Sequence, residues 1–336
     1  MFDFLNRSVA RDVPDGDGPS VAAPRPFRPK IGLALGSGAA RGWAHIGIIH
    51  ALREAGYTPD IVTGTSIGAI VGGCFLAGKL DKLEDFALSL SKRRMLTYLD
   101  IGFGGSGLMS GARLSKVLRQ NLGDLRIEEF NNSFVSVATE LGTGHEIWLR
   151  SGDMVNAIRA SYALPGIFQP VQIGGRWLVD GALVNPVPVS VARALGARVV
   201  IAVTLHSDVF GRGTTVVHPM PPSPVTDLPG TPEDDEEKAA GSWTGIQALL
   251  GRQFFGGGDD GLPGISGVMM EAFNIIQDRI GRSRLAGDPP DITIGPKLGS
   301  INLLDFQRAE EAIAIGYETG RKAVPEIAEL VAALSE

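Results

Sequence analysis

Hydrophobic positions in this chain form short, almost wholly apolar runs that alternate with amphipathic segments from residue 30 onward. Short apolar runs are typical of strands buried in a parallel sheet, and apolar residues three or four positions apart are typical of covering helices. The predicted strands are Ile31–Leu35, Asp60–Thr63, Phe134–Thr139, Glu146–Leu149, Val199–Thr204 and Asp291–Ile294. The predicted helices are Ala40–Ala55, Ile67–Ala77, Leu80–Ser91, Gly111–Gln120, Met154–Tyr162, Val187–Leu195, Gly264–Ile280, Leu304–Gly320 and Val324–Leu334. The alternation predicts an α/β fold with a mostly parallel central sheet covered by helices on both faces.

Two segments lack this pattern. Residues 1–29 are rich in Pro, Gly, Asp and Arg, which predicts a flexible N-terminal tail before a domain spanning 30–336. A proline-dense stretch and an acidic run predict a flexible insertion at about 210–262. Within the insertion, Trp243–Phe255 combines large apolar residues with flanking glycines, which fits a lid, a membrane-touching helix or an ordinary packed helix.

Composition and charge narrow the function classes. The net charge of −6 and the lack of a long basic stripe argue against a nucleic-acid partner. The single cysteine, Cys74, excludes an internal disulfide and fits a reducing compartment. No apolar run approaches the roughly 18 residues of a membrane span, and the first residues do not resemble a signal peptide. We therefore expect a cytoplasmic protein, peripheral at the membrane at most.

A Gly-x-Ser-x-Gly turn follows the second predicted strand. The run from Gly64 through Ser66 to Gly68 leads from a strand into a helix, which is the context of a nucleophile elbow. Side chains at positions 64 and 68 would crowd the crossing of strand and helix, so glycine is expected there. The elbow also places the Ser66 hydroxyl at a helix N-terminus, which favours negative charge. An alternative is an ordinary helix N-cap serine in a glycine-rich turn.

Another glycine-rich turn, residues 36–42, follows the first predicted strand. A dinucleotide site is disfavoured because Arg41 occupies the position of the third glycine and no acid ends the next strand. A phosphate-binding P-loop is disfavoured because no Gly-Lys-Ser/Thr follows. The small residues instead predict an oxyanion loop, with the amides of Ser37, Gly38 and Ala39 directed at a substrate oxygen. Arg41 either fixes the loop, binds a phosphate or pairs on the helix surface.

A base for the serine is predicted at Asp180, which ends an apolar strand and is followed by Gly181. Burial raises the pKa of a carboxyl group, so a lone Asp can accept the serine proton directly. One alternative is an ordinary Asp-Gly turn. Another is a Ser-Asp-His triad that uses His206, in the chain order of α/β-hydrolases. No His or Cys cluster has metal-ligand spacing, so no metal is expected.

Three motifs in order resemble the patatin-like phospholipase family. These motifs are the loop from Gly36 to Arg41 and Gly42, the elbow at Ser66, and Asp180-Gly181-Ala182. The runs Leu33–His45 and Asp180–Pro188 are similar to the bacterial RssA-type branch, and the resemblance covers about residues 30–206.

The resemblance implies the three-layer patatin-like fold and a Ser-Asp dyad, in which Ser66 attacks a lipid ester and Asp180 activates it. It further implies oxyanion amides near residues 37–39, a phospholipid or lysophospholipid substrate, and no need for calcium or another cofactor. The similar segment Arg159–Phe168 is expected to line the acyl site. Ser161 is not expected to be a second nucleophile, because no elbow surrounds it.

Two residues depart from the family pattern. Many relatives carry glycine where this chain has Ser37 and Ala39. A Cβ at either position would narrow the oxyanion hole or restrict its backbone angles, which leaves the turnover rate open. The alternative function is therefore a regulatory or scaffolding protein with little turnover. The sequence predicts no oligomeric state.

Overall fold

An eight-stranded sheet forms the centre of the protein in a computed structural model, which describes residues 28–91, 94, 107–109, 111–206 and 265–335. The strands are β1 (Ile31–Leu35), β2 (Ile61–Thr65), β3 (Gly107–Met109), β4 (Ser133–Glu140), β5 (Glu146–Leu149), β6 (Gly166–Phe168), β7 (Val171–Ile173), β8 (Arg176–Asp180), β9 (Val199–Val203) and β10 (Ile292–Ile294). Their order is β10-β9-β1-β2-β4-β8-β7, β5 also pairs with β4, and β3 pairs separately with β6.

Strands β10, β9, β1, β2 and β4 are mutually parallel, whereas β5, β7 and β8 pair in antiparallel fashion. The predicted mostly parallel sheet is therefore confirmed. In the register of β1 and β2, Leu35 lies opposite Gly64. Because neighbouring parallel strands end at the same edge of a sheet, the two glycine-rich turns lie side by side.

Helices cover both faces of the sheet. They are α1 (Ala44–Glu54), α2 (Ile67–Leu76), α3 (Leu80–Leu88), α4 (Ala112–Leu122), α5 (Met154–Tyr162), α6 (Val189–Ala194), α7 (Ile265–Gly287) and α8 (Ala309–Ala333). The largest apolar cluster joins β1 and β2 to α1, α2, α5 and α8. A separate cluster packs α6 and Leu285 of α7 against Ala34 and Val200 on the opposite face. The three-layer α/β/α arrangement is confirmed.

Several predicted boundaries were wrong. The first predicted helix begins instead as a 3-10 helix, Ala39–Trp43, which leads into α1. The two predicted C-terminal helices are a single helix, α8, preceded by a short 3-10 helix at Phe306–Arg308. Pro325 lacks a backbone N–H and ordinarily interrupts a helix. Here α8 continues past it, because the fully buried Ile327 packs its later turns into the core.

The predicted N-terminal tail and insertion fall largely outside the described residues. Residues 1–27 and 207–264 are not described, so flexibility there and a lid or membrane helix at Trp243–Phe255 stay predictions. Arg28, assigned to the tail by the sequence, donates a hydrogen bond to the carbonyl of Thr58. Among the described helices, none combines the length and hydrophobicity needed to cross a bilayer.

Helices α1 and α8 are in direct backbone contact. A Cβ at Gly47 would overlap the carbonyl of Ile313, and a Cβ at Gly316 would overlap the carbonyl of Ala44. Only glycine at these two positions lets α1 and α8 pack this closely.

We predict that Gly47→Ala destabilises the protein by about 1–3 kcal/mol, as overpacking of a close contact typically does. Alanine's better helix propensity offsets roughly 0.5–1 kcal/mol of that loss. Gly142→Ala is the matched control, because a Cβ at that position would have no heavy atom within 4 Å. Urea unfolding of both variants tests the contact, and equal stability of the two would contradict it.

Candidate active site

The two glycine-rich turns touch through their backbones. A Cβ at Gly68 would overlap the carbonyl of Leu35, and a Cβ at Gly42 would overlap the side chain of Ile67. A Cβ at Gly64 would lie 2.6 Å from the Cα of Ala69. The predicted crowding at the crossing of strand and helix is confirmed. At Gly36, a Cβ would lie 2.7 Å from the carbonyl oxygen of Val203.

Ser66 occupies the turn between β2 and α2 in a strained backbone conformation. Its φ is 57° and its ψ is −120°. Within the described residues, only Ser66 and Ala39 have positive φ among non-glycine residues. Such conformations cost on the order of 1–3 kcal/mol each and cluster at functional sites. The Ser66 side chain makes no capping bond to α2, so its hydroxyl is not serving as a helix N-cap.

The Ser66 hydroxyl instead donates a 2.7 Å hydrogen bond to Oδ2 of Asp180. Oδ1 of Asp180 accepts a 2.8 Å hydrogen bond from the N–H of Ala182, at the start of the 3-10 helix Gly181–Leu183. Each carboxylate oxygen therefore has its own donor. The Asp-Gly turn anticipated from the sequence is present, and it orients the same carboxylate toward Ser66.

Asp180 is a buried carboxyl group with only 2% of its surface exposed. Burial raises its pKa from 3.8 to about 7, while the hydrogen bonds from Ala182 and Ser66 oppose that rise. A carboxylate with a pKa near neutrality is a far stronger proton acceptor than an exposed aspartate. The arrangement is chemically suited to transfer of the Ser66 hydroxyl proton to Asp180.

Ser161, on α5, supports this pair from behind. Its hydroxyl accepts the N–H of Ser66 at 2.8 Å and donates to the carbonyl of Val137 at 2.6 Å. The side chain is fully buried, and these two bonds satisfy its donor and one of its acceptor sites. From the sequence, Ser161 was considered only as a second nucleophile and was not expected to be one. Its hydrogen bonds to Ser66 and Val137 were missed.

Amides of the glycine-rich loop differ in whether they already have an acceptor. The N–H groups of Ser37 and Ala40 donate to the carbonyls of Pro186 and Leu303, at 2.9 and 3.0 Å. In the described part of the chain, the N–H groups of Gly38 and Ala39 have no protein acceptor. Of the three amides expected to face a substrate oxygen, that of Ser37 is therefore occupied.

Buried side chains hold the loop from the inside. Arg41 is buried, and its Nε donates to the carbonyl of Ile301 at 2.8 Å. Nε2 of His45 lies 2.8 Å from the carbonyl oxygen of Gly36, and burial lowers the pKa of this histidine to about 4. A neutral imidazole with its proton on Nε2 donates this bond. Arg41 thus fixes the loop and does not pair on the helix surface.

His206 is not part of the Ser66–Asp180 pair. It is buried, and burial together with the nearby Arg41 lowers its pKa to about 4. Among the described residues, Nε2 of His206 has no hydrogen-bond partner. The described residues also contain no cluster of three or more His, Cys, Asp or Glu side chains that would hold a metal.

Ile67, the residue after Ser66, is one of the residues that line an apolar cavity. The cavity encloses about 920 Å³, including its open mouth. Three residues of α2 line it at helical spacing, and the rest of the wall comes from α3 and its flanking residues, α4, β6 and the 3-10 helices at 39–43 and 306–308. The lining residues are Trp43, Ile67, Ile70, Cys74, Lys79, Lys82, Leu83, Phe86, Leu90, Leu114, Val117, Leu118, Asn121, Phe168 and Phe306. Burial raises the pKa of the Cys74 thiol to about 12, so the lining at this position is uncharged.

The chain is similar to several known proteins. The family model described as patatin-like phospholipase matches residues 33–193. An NTE family protein of Mycobacterium bovis is 32% identical over 346 residues, covering 88% of this chain and 91% of the relative. A lysophospholipase of Emericella nidulans is 33% identical over 192 residues, covering 53% of this chain and 12% of that protein. VipD from Legionella pneumophila covers 89% of this chain and 67% of its own, at 14% identity and a TM-score of 0.39, too weak a likeness to support a further statement.

The match to the patatin-like phospholipase model identifies a hydrolase of lipid esters. The chain belongs to the patatin-like phospholipase family.

We predict that Asp180→Asn stabilises the protein at pH 8. Because burial raises the folded-state pKa of Asp180, folding binds a proton between about pH 4 and 7. Above that range Asp180 is ionised in the folded protein. The free energy of unfolding is then lower by about 1.4 kcal/mol for each unit by which burial raises the pKa. Asparagine cannot ionise and keeps an oxygen for the Ala182 amide.

Thermal melts of the wild type and Asp180→Asn at pH 4.5 and 8 measure the effect. The variant's advantage should be present at pH 8 and shrink toward pH 4.5. Asp81→Asn, on the exposed surface of α3, should show no such pH-dependent difference. A variant less stable than the wild type at pH 8 would contradict a raised pKa for Asp180.

Proposed function

We propose that this protein hydrolyses fatty-acyl esters of phospholipids or lysophospholipids through a Ser66–Asp180 dyad, without histidine, metal or another cofactor. The observation that carries the proposal is the 2.7 Å hydrogen bond between the Ser66 hydroxyl and a carboxylate buried to 2% exposure. Ser66 itself is partly exposed, so a substrate carbonyl can reach it. The proposal places the protein in the cytoplasm, with peripheral contact to membranes that supply the substrate.

In the first half of the reaction, Ser66 Oγ attacks the ester carbonyl carbon while Asp180 accepts the hydroxyl proton. The carbonyl oxygen becomes an oxyanion, for which the N–H groups of Gly38 and Ala39 are the available donors. Collapse of the intermediate releases the alcohol, which takes the proton from Asp180, and leaves an acyl-enzyme on Ser66. Water, deprotonated by Asp180, then hydrolyses the acyl-enzyme and releases the fatty acid.

The apolar cavity beside Ile67 gives the acyl chain a place to bind. Cys74 lies seven residues beyond Ile67 on α2, which at 1.5 Å per residue is about 10 Å along the helix. A tail of roughly eight carbons therefore reaches from the elbow to Cys74 on this helix spacing. The acyl site expected at Arg159–Phe168 contributes Phe168 to the same wall.

The two alternative functions have weaker support. A regulatory protein with little turnover was suggested by Ser37 and Ala39, but the Ser37 side chain is buried at 1% exposure and bonded away from the loop amides. A triad with His206 lacks any hydrogen bond between His206 and either Ser66 or Asp180 in the described residues.

We predict that Ser66→Ala and Asp180→Asn each reduce hydrolysis of a short-chain nitrophenyl ester by at least about 10³-fold, the size of effect seen when one member of a catalytic unit is lost. Ser151→Ala and Asp81→Asn, both exposed, are the matched controls. The wild-type rate should rise with pH through a midpoint near 7, since Asp180 must be ionised to accept the proton.

His206→Ala should retain both the rate and this midpoint. A His206→Ala loss as large as that of Ser66→Ala would establish the triad instead. Undiminished activity in either dyad variant, with an intact fold by circular dichroism, would sink the dyad.

We predict that Cys74→Phe shortens the preferred acyl chain. The larger side chain fills the cavity about 10 Å from the elbow, so esters with chains beyond about eight carbons should lose activity while butyrate esters keep it. Cys74→Ser keeps the volume and serves as the control. A uniform loss across nitrophenyl esters of four to sixteen carbons would place the acyl chain elsewhere.

A further inference from the structure

Helix α7 presents polar side chains to the protein interior. Asn274, Gln277 and Asp278 are all buried, and Gln277 is only 5% exposed. On the outer side, Ile275 and Ile276 are exposed. Helices of globular proteins ordinarily bury an apolar stripe and expose polar residues. Buried polar side chains need hydrogen-bond partners, and these partners show which part of the protein α7 supports.

The partners belong to the glycine-rich loop. The Ser37 hydroxyl donates a 2.5 Å hydrogen bond to Oε1 of Gln277. Three residues earlier on α7, Oδ1 of Asn274 lies 3.5 Å from Nη1 of Arg41. Helix α7 therefore contacts the loop on both sides of Gly38 and Ala39, the two residues whose amides have no protein acceptor among the described residues.

The segment between these contacts needs support. Ala39 has a φ of 48°, which disfavours a residue that carries a Cβ. Such a conformation persists only when the surrounding structure fixes it. On the Ser37 side the backbone N–H donates to the carbonyl of Pro186, and the Ser37 side chain is restrained by its hydroxyl bond to Gln277.

We infer that Gln277 is a positioning residue for the oxyanion loop. By holding the Ser37 hydroxyl, it sets the direction of the Gly38 and Ala39 amides toward the developing oxyanion, without touching substrate. The inference rests on the proposed Ser66–Asp180 hydrolase. It also accounts for Ser37, whose side chain is directed into the protein, where it anchors the loop.

The test is inactivation of the full-length protein by an alkyl fluorophosphonate, in which Ser66 Oγ displaces fluoride from phosphorus. The phosphoryl oxygen uses the same amides as a substrate oxyanion. Gln277→Met keeps the side-chain length and removes the acceptor. We expect its maximal inactivation rate to fall about tenfold, less than the 10²–10³-fold loss of a whole oxyanion donor, with the probe's half-saturation concentration unchanged.

Coupling between the two side chains separates positioning from general loss of structure. Ser37→Ala should cause a similar fall, and Ser37→Ala combined with Gln277→Met should be no slower than either single variant. In a Ser37→Gly background, Gln277→Met should have no effect on the rate. Glu271→Gln, exposed on the same helix, is the control and should match the wild type.

Three results would each overturn the inference. They are losses that multiply in the double variant, an unchanged inactivation rate in Gln277→Met, and a change in Gln277→Met of the half-saturation concentration alone. Folding is followed by thermal melting, and Ser37→Ala removes the same bond from the loop side if Gln277→Met does not fold. A wild-type protein that fails to label at Ser66 would overturn the proposed hydrolase and the positioning assignment together. Labelling at Ser66 with no dependence on Gln277 would overturn the positioning assignment alone.

Discussion

Direct backbone contact between two turns is the constraint on which this site depends. Strands β1 and β2 are parallel neighbours, so their turns lie at the same edge of the sheet. Gly68 lets the two backbones touch at Leu35 and Gly36. Gly42 leaves room for the side chain of Ile67, and Gly64 leaves room for the first turn of α2. This proximity brings the Ser66 elbow beside the loop that contains Gly38 and Ala39. In the proposed reaction a nucleophile and amide donors act on the same carbonyl group, and strand pairing sets the distance between them.

The second constraint is the removal of Asp180 from water. Burial makes ionisation of this carboxyl group unfavourable, and the same burial gives it a pKa near neutrality and a direct bond to Ser66. Burial of Asp180 therefore raises the basicity of its carboxylate and, once the group is ionised, lowers the stability of the protein. The supporting bonds fit this view: Ser161 fixes the backbone of Ser66, and the Thr139 hydroxyl donates to the carbonyl of Asp180 at 2.8 Å. These bonds hold in place the strained backbone of Ser66 and the buried carboxyl group of Asp180.

Sequence reasoning reached the strands, the elbow and Asp180 because each leaves a local signature. Runs such as Ile31–Leu35 and the spacing of Gly64, Ser66 and Gly68 depend on neighbours within a few residues. The strands β3, β6 and β7 were not predicted, although β10 of the same length was, because three residues give too few positions for alternation to distinguish a strand from a loop. Whether the chain would continue through Pro325 was decided by burial of Ile327, a tertiary effect that local propensity does not include.

The contact between the glycine-rich loop and α7 could not be predicted from the sequence. Ser37 and Gln277 are 240 residues apart, and no pattern within either segment relates them. From the loop alone, a Cβ at position 37 suggested a narrowed oxyanion hole. That interpretation assumed a side chain directed toward the substrate. With the hydroxyl bonded to a buried amide of α7, the same residue becomes a restraint on the loop. The sequence shows that residue 37 carries a hydroxyl group that can form hydrogen bonds. The direction of its side chain depends on the fold.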